Sequence, residues 1–261
     1  MLAFFVFGLS TMTPLQRALW QELGRKMISS IGIFAALFLI LYSIECFVPS
    51  VAGTLLKWTS SAFVVGIPAS IIGVAYVLTI RNPKNYTGFA AGIVMALLLA
   101  VQFYLLGNID LVILQLLVFI PFLLQSFVRW RQLTLQSSSQ QPAFLPEWLT
   151  HRQQLLSLLV MAIIIGADYA LATLLIQHNA WSENVLLKLT GGLMIASSTL
   201  ANFILIYQKI DAWIWWVIYA IAGMIFYALV GNAFSFVLFA VFLLVNAGAG
   251  IAWIKLRKRQ Q

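Results

Sequence analysis

The chain has 261 residues, 62% of them apolar and only 8% charged, with a mean hydropathy of +0.99. A water-soluble domain is nearer half apolar and a quarter charged, so this chain has too few polar residues to cover a surface in water. Soluble globular, disordered and disulfide-stapled classes are excluded, and about 160 apolar residues at roughly 20 per crossing suffice for up to about eight membrane spans.

The start, MLAFFVFGLS, is apolar but short. No basic residue precedes it and no clear small-residue cleavage site follows, so it is not read as a signal peptide. Thr13-Pro14 is a cap with proline at the first helical position. Residues 15–27 mix Leu15, Leu19, Trp20 and Leu23 with Arg17, Glu22, Arg25 and Lys26. That pattern predicts an amphipathic helix lying in the membrane interface within an N-terminal segment, 1–30. Long apolar runs bounded by charge or turn residues then predict eight transmembrane helices near 31–48, 61–80, 87–106, 109–129, 154–177, 186–208, 212–230 and 233–255. The first, with its loop, fills 31–60, and three helices fill 61–130. A loop at 131–153 contains LTLQSSSQQP and reads as a flexible cytoplasmic linker. A single linker helix and loop occupy 154–185, three more helices 186–255, and a basic tail 256–261.

The net charge of +8, from 15 Lys and Arg against 7 Asp and Glu, would suggest nucleic acid in a soluble protein. With eight spans, however, Arg17, Arg25, Lys26, Arg81, Lys84, Arg129, Arg131, Arg152, Lys209, Lys255, Arg257, Lys258 and Arg259 share one side, and only Lys57 and Lys188 lie on the other. The bias places both termini in the cytoplasm and removes the need for a nucleic-acid partner. The lone Cys46 allows neither an internal disulfide nor a thiolate metal cluster.

The chain contains an internal echo. Phe103-Tyr104 followed by Gly107-Asn108 recurs as Phe226-Tyr227 followed by Gly231-Asn232, and Trp130 recurs as Trp253 at the basic end of a helix, always 123 or 124 residues later. The three helices of 61–129 therefore correspond to those of 186–255. Three spans invert direction, and the single helix between the units restores it, so the expected architecture is two parallel three-helix repeats, a 3+1+3 arrangement with one extra N-terminal helix. Parallel repeats about an axis along the membrane normal are a transporter design, with substrate between the repeats near the midplane. The alternative is chance recurrence of glycine turns and tryptophan belts.

Polar side chains within spans need a partner, a cavity or a ligand. Gln102 and Gln115 fall in adjacent helices of the first unit, Asn202 and Asn246 in two helices of the second, with Gln125 and the Ser197-Ser198-Thr199 run besides. Each amide offers two donors and an acceptor, a set suited to a neutral polar solute. Each could equally serve an interhelical hydrogen bond. Asp168 is the one carboxylate well inside a span, either a proton or cation coupling site or a partner to a neighbouring hydroxyl or backbone donor. In the run QKIDAWIWWVIY (208–219), Trp213 and Trp216 stand at i and i+3, on one helix face. Trp213 directly follows a basic loop, where an interfacial belt accounts for it better than a ligand contact. Trp216 is one turn deeper, where its indole either packs or stacks on a planar or cationic ring. No HExxH, paired intramembrane carboxylates, phosphate loop or nucleophile elbow is present, so neither an enzyme nor a bound cofactor is expected.

The run KIDAWIWW (209–216) resembles the nicotinamide riboside transporter (PnuC-like) family, in which a basic–acidic loop leads into a W-x-x-W helix. The likeness continues through IFYALVG (225–231) and Trp253 with its basic tail, and in the first unit through Asn85-Tyr86 with Gly88 and the spacing of Pro121 to Trp130. It covers about 61–130 and 186–259. The resemblance implies a 3+1+3 fold related to SWEET transporters. It also implies a homotrimer in the bacterial inner membrane and facilitated diffusion of a vitamin-like nucleoside such as nicotinamide riboside, trapped inside by phosphorylation. Relatives carry thiamine, riboflavin or deoxynucleosides, and a proton-coupled carrier using Asp168 is the other option. By the resemblance, Trp213, Trp216 and Asn202 carry over as substrate-binding residues, with Gln102, Gln115 and Asn246 added from their helix positions. The sequence departs from the family pattern at Ala220 and Leu123, where polar residues are usual, at Gln115, one residue out of place, and at Asn202, where Gln is common.

Overall fold

The computed structural model describes residues 12–47, 61–105, 107, 109–136, 146–174, 184–229 and 231–259. The apolar start, Lys57, Asn108, residues 137–145 of the linker loop and His178 lie outside the described residues. Within them the regular structure is helical: α1 (Pro14–Phe47), α2 (Ser61–Ile80), α3 (Gly88–Leu105), α4 (Ile109–Ile113), a π-helical segment (Leu114–Phe119), α5 (Ile120–Gln136), α6 (His151–Leu174), α7 (Val185–Ile206), α8 (Asp211–Leu229) and α9 (Ala233–Lys258). Eight helical stretches are long and apolar enough to cross a membrane, the stretch Leu111–Gln136 counting as one through its π segment.

Local chemistry sets several helix starts. Thr13 Oγ1 accepts from the Gln16 amide and Gln16 Oε1 accepts from the Thr13 amide, a reciprocal capping box ahead of Pro14. Thr150 and Gln153 repeat the device before α6. Asn184 caps α7 and Asn232 caps α9. Gly107 and Gly231, the two glycines of the sequence echo, both take left-handed backbone (φ +76° and +69°) at helix ends, where a Cβ would be strained.

The interfacial helix and the first span expected at 15–27 and 31–48 form one continuous helix of 34 residues. The backbone ladder runs through without a break, and Ser29 and Ser30 turn their hydroxyls back onto the Arg25 and Lys26 carbonyls of the same helix. The amphipathic face is occupied by protein: Leu19 and Leu23 are buried, Glu22 Oε2 accepts from Asn82 and Asn85, and the Leu19 carbonyl accepts from Asn85 and Thr87. The Asn85-Tyr86 motif thus pins the start of α1 to the α2–α3 turn.

Helix α3 packs on both α2 and α5, and α8 on both α7 and α9. Helix α1 lies against α2 and α6 against α7. Between the groups, α2 meets α9 and α5 meets α7. The lipid-side faces of α1 and α6 stay apolar and exposed, with Ile28, Leu39, Leu155 and Leu159 among them.

At the end of the bundle that holds both described termini, two indoles tie the groups together reciprocally. Trp130 Nε1 on α5 donates to the Leu205 carbonyl of α7 at 3.2 Å, and Trp253 Nε1 on α9 donates to the Arg81 carbonyl after α2 at 3.0 Å. Both indoles are fully buried, their rings 5.9 Å apart. Trp253 follows Trp130 by 123 residues and Leu205 follows Arg81 by 124, so donors and acceptors alike keep the spacing of the sequence echo. Replacing either indole with Phe removes one hydrogen bond between the groups and is expected to destabilise the protein by about 0.5–1.5 kcal/mol. Thermal unfolding in detergent should show each variant melting several degrees below the parent.

Candidate functional site

A cavity of about 300 Å³ lies between α2, α3, α8 and α9, with Phe119 of the π segment and Met194 of α7 completing its wall. It runs from Ala62 and Asn232, at the end of the bundle away from the termini, down to Tyr76, Trp216 and Asn246. Below that floor Trp213 sits one turn nearer the termini, edge-on to Trp253 at 5.3 Å, and closes the bundle together with Trp130. The walls are aromatic, with Phe63, Tyr219, Phe234 and Phe239 among them. No described residue lining the cavity carries a formal charge.

Three polar atoms at the floor have no hydrogen-bond partner: the Tyr76 hydroxyl, Trp216 Nε1 and Asn246 Oδ1. Their side chains are more than nine-tenths buried, so the groups are desolvated and waiting for a partner. Asn246 is held in place by its own amide, whose Nδ2 donates to the Trp216 carbonyl at 3.3 Å and leaves only the oxygen for the cavity. Trp216 is fixed edge-on to Tyr219 at 5.4 Å. The floor therefore offers an N–H donor, a carbonyl acceptor and a hydroxyl that can do both, beside flat rings.

The structure brings Trp216, Asn246 and Gln102 of the expected residues to this cavity. The remaining four stand elsewhere. Trp213 is part of the tryptophan cluster. Asn202 is buried, with Nδ2 donating to the Ser198 carbonyl of its own helix at 2.9 Å, and Ser197 and Ser198 bond back along α7 in the same way. Gln115 is buried in the π segment with Oε1 unpartnered, outside the cavity lining. Asp168 is half-buried on α6, close enough to Gly192 of α7 that a Cβ there would come within 3.1 Å of its carboxylate. Tyr76, which sequence position alone does not single out, also lines the cavity, and its hydroxyl is the one polar side-chain group in the apolar run IIGVAY (71–76).

The charged residues before the W-x-x-W helix have structural partners. Asp211 accepts from the Leu149 amide at 2.7 Å and from Gln154 Nε2 at 3.0 Å, clamping the start of α6 to the start of α8. Lys209 pairs with Glu147 at 2.6 Å. This hydrogen bond and the Lys209 charge hold the Glu147 carboxyl below its ordinary range, with a smaller contribution from Arg257.

An all-helical bundle with eight membrane-crossing stretches, enclosing an uncharged aromatic cavity with unpartnered polar atoms, is the architecture of a membrane transporter. The family model described as nicotinamide mononucleotide transporter matches residues 63–255, and the chain belongs to that family. Its fold is similar to that in the crystal structure of the vitamin B3 transporter PnuC, with a TM-score of 0.59 at 19% identity over 94% of this chain and 99% of that one. No curated protein matches the chain.

A carboxyl whose folded pKa is lowered stabilises the fold above its unfolded value of 4.5 and loses that contribution as pH falls through the lowered value. Because the pair is largely solvated, it is worth about 0.2–1 kcal/mol. The difference in unfolding temperature between the parent and Lys209→Met should therefore be small at about pH 5.5 and vanish towards about pH 3. Melting curves of both proteins across that range check it.

Proposed function

We propose that the protein is a uniporter that carries a vitamin-like nucleoside, nicotinamide riboside in the first instance, down its gradient into the cytoplasm, where phosphorylation traps it. The observation that carries this reading is the composition of the cavity: flat aromatic walls and a floor of neutral donors and acceptors, with no charged lining residue. Rings of this kind favour a planar heterocycle with delocalised positive charge, and hydroxyls and amides suit a sugar and a carboxamide. A phosphate buried here would have no cation to pair with, at a large desolvation penalty, which favours the nucleoside over the mononucleotide of the family description. Thiamine, riboflavin and deoxynucleosides share parts of this chemistry and belong in the same panel.

Rocking of two three-helix repeats supplies alternating access in this reading. It is supported by the reciprocal indole bonds, whose donors correspond to each other and whose acceptors correspond to each other at the spacing of the sequence echo, and by the paired contacts of α2 with α9 and of α5 with α7. Opening towards the termini then requires the tryptophan cluster to part. The basic residues gathered at that end support both termini in the cytoplasm. The PnuC-like resemblance supports a homotrimer in the bacterial inner membrane that binds no cofactor and leaves its solute unmodified. Asp168 lies outside the cavity lining, which supports uncoupled transport over a proton-coupled carrier.

Trp216→Ala is expected to reduce nicotinamide riboside uptake into proteoliposomes to background while the purified protein keeps its helicity and elution volume. Uptake at the parent rate would overturn the site assignment, and uptake that collapses with a protonophore and with Asp168→Asn would overturn the uniport mechanism. A second variant tests the cavity's shape. The Phe239 ring lies flush on Gly223, closer than any Cβ allows. Gly223→Ala should drive that ring into the cavity, with an overpacking cost of about 1–3 kcal/mol, and depress uptake more than melting temperature.

A further inference from the structure

We propose that the Tyr76 hydroxyl is a specificity-determining group of the transport site, a polar contact that the first half of the chain supplies to the substrate at the cavity floor. The inference rests on the nucleoside reading of the cavity and goes beyond it by naming a residue from the other half of the protein and the kind of group it selects.

The two halves differ at the site. Trp216 and Asn246, which hold the floor from α8 and α9, belong to the second half. At the echo spacing of 123 or 124 residues before them stand Ile93 or Gly92 on α3 and Leu123 or Phe122 on α5, none of which has a polar side-chain atom. The correspondence holds in space as well as in sequence. Asn246 bonds the backbone of Trp216, and the Leu123 side chain lies 3.2 Å from where a Gly92 Cβ would stand. Tyr76 fills the space left by the missing side chain, its ring 3.1 Å from that same point. A larger residue at position 92 would displace it. The ring also leans on Phe89 at 6.0 Å, which itself meets Trp130 edge-on at 4.8 Å, so its position is set from two sides.

Held this way, Tyr76 lines the cavity at 1% exposure, and its hydroxyl is buried without a partner. Trp216 Nε1 can only donate and Asn246 Oδ1 can only accept, whereas a tyrosine hydroxyl does both. It therefore matches a neutral group that is itself donor and acceptor, a sugar hydroxyl or a carboxamide. A solute lacking that group leaves the hydroxyl buried and unpaired, which is the strongest basis for discrimination that a neutral site has.

The test is binding of nicotinamide riboside to the purified full-length protein by titration calorimetry, comparing the parent, Tyr76→Phe and Trp216→Ala. Tyr76→Phe keeps the ring over Gly92 and removes only the hydroxyl. It should melt no lower than the parent without ligand, because an unpaired polar atom is gone. It should bind nicotinamide riboside about tenfold more weakly, the loss of one good hydrogen bond. Two analogues locate the partner, one without the carboxamide and one without the ribose 2′-hydroxyl. The penalty of Tyr76→Phe should disappear for the analogue that lacks the bonded group and persist for the other, a pattern that a merely structural tyrosine would not give. Parent-like binding by Tyr76→Phe, or an equal penalty for all three ligands, overturns the inference while leaving the cavity reading intact provided Trp216→Ala has lost binding. Parent-like binding by Trp216→Ala, or no binding of nicotinamide riboside by the parent, overturns the cavity reading and this inference together.

Discussion

Two indole N–H groups crossing between the halves of the chain are the constraint on which the rest of the arrangement depends. In hydrocarbon there is little hydrophobic force between helices, so their mutual position is set by close packing and by the few directional bonds available. Trp130 and Trp253 supply two such bonds, each to the end of a helix in the opposite group, and meet as a tilted ring pair between them. Trp213 and Phe89 pack edge-on against this pair, and Trp216 and Tyr76 stand one step further from the termini. The cavity floor is thus built directly on the layer that closes the bundle.

The polar groups of the protein divide by their satisfaction. Those with partners hold the scaffold. Glu22, Asn82, Asn85 and Thr87 pin α1, Asp211 clamps the start of α6, and the serines of α7 bond back along their own helix. The Tyr76 hydroxyl, Trp216 Nε1 and Asn246 Oδ1 have none, and their residues line one cavity; Trp213 Nε1 and Gln115 Oε1 are likewise unpartnered but belong to residues outside it. In a site without charge, such atoms are the means of selection, because leaving them unpaired costs more than any one contact contributes. The same logic separates Asn202 from Asn246. Both are buried amides in spans, but Asn202 spends its amide on its own helix, whereas Asn246 uses one end as an anchor and presents the other.

Much of the fold was legible in the residues. Apolar length gave eight spans, and the structure has eight stretches that qualify. The echo of Gly107 and Gly231 reappears as two left-handed turns, and that of Trp130 and Trp253 as the crossed bonds. The division of α1 into an interfacial helix and a span was misleading because amphipathicity reports only that a face is to be covered. Here protein covers it, through the α2–α3 turn, and no backbone break follows. The site was only partly legible. The resemblance put Asn202 forward and helix position put Gln102, Gln115 and Asn246 forward alike, since a residue's place along a span says how deep it lies and not which way it faces. Tyr76 escaped because a tyrosine in an apolar run reads as packing until its hydroxyl is found without a partner.

The sequence by itself determined that the chain lives in a membrane, how many times it crosses, which end carries the charge, and the family to which its W-x-x-W helix is similar. All of these follow from composition and spacing along one dimension. Only the tertiary structure decided which buried polar atoms are already paired. It also showed that Trp213 belongs to the closing layer and Trp216 to the cavity, and that Tyr76 stands over the bare backbone of Gly92. Those facts depend on what lies opposite each side chain, and in a bundle the opposite neighbour comes from a helix that is distant in the chain.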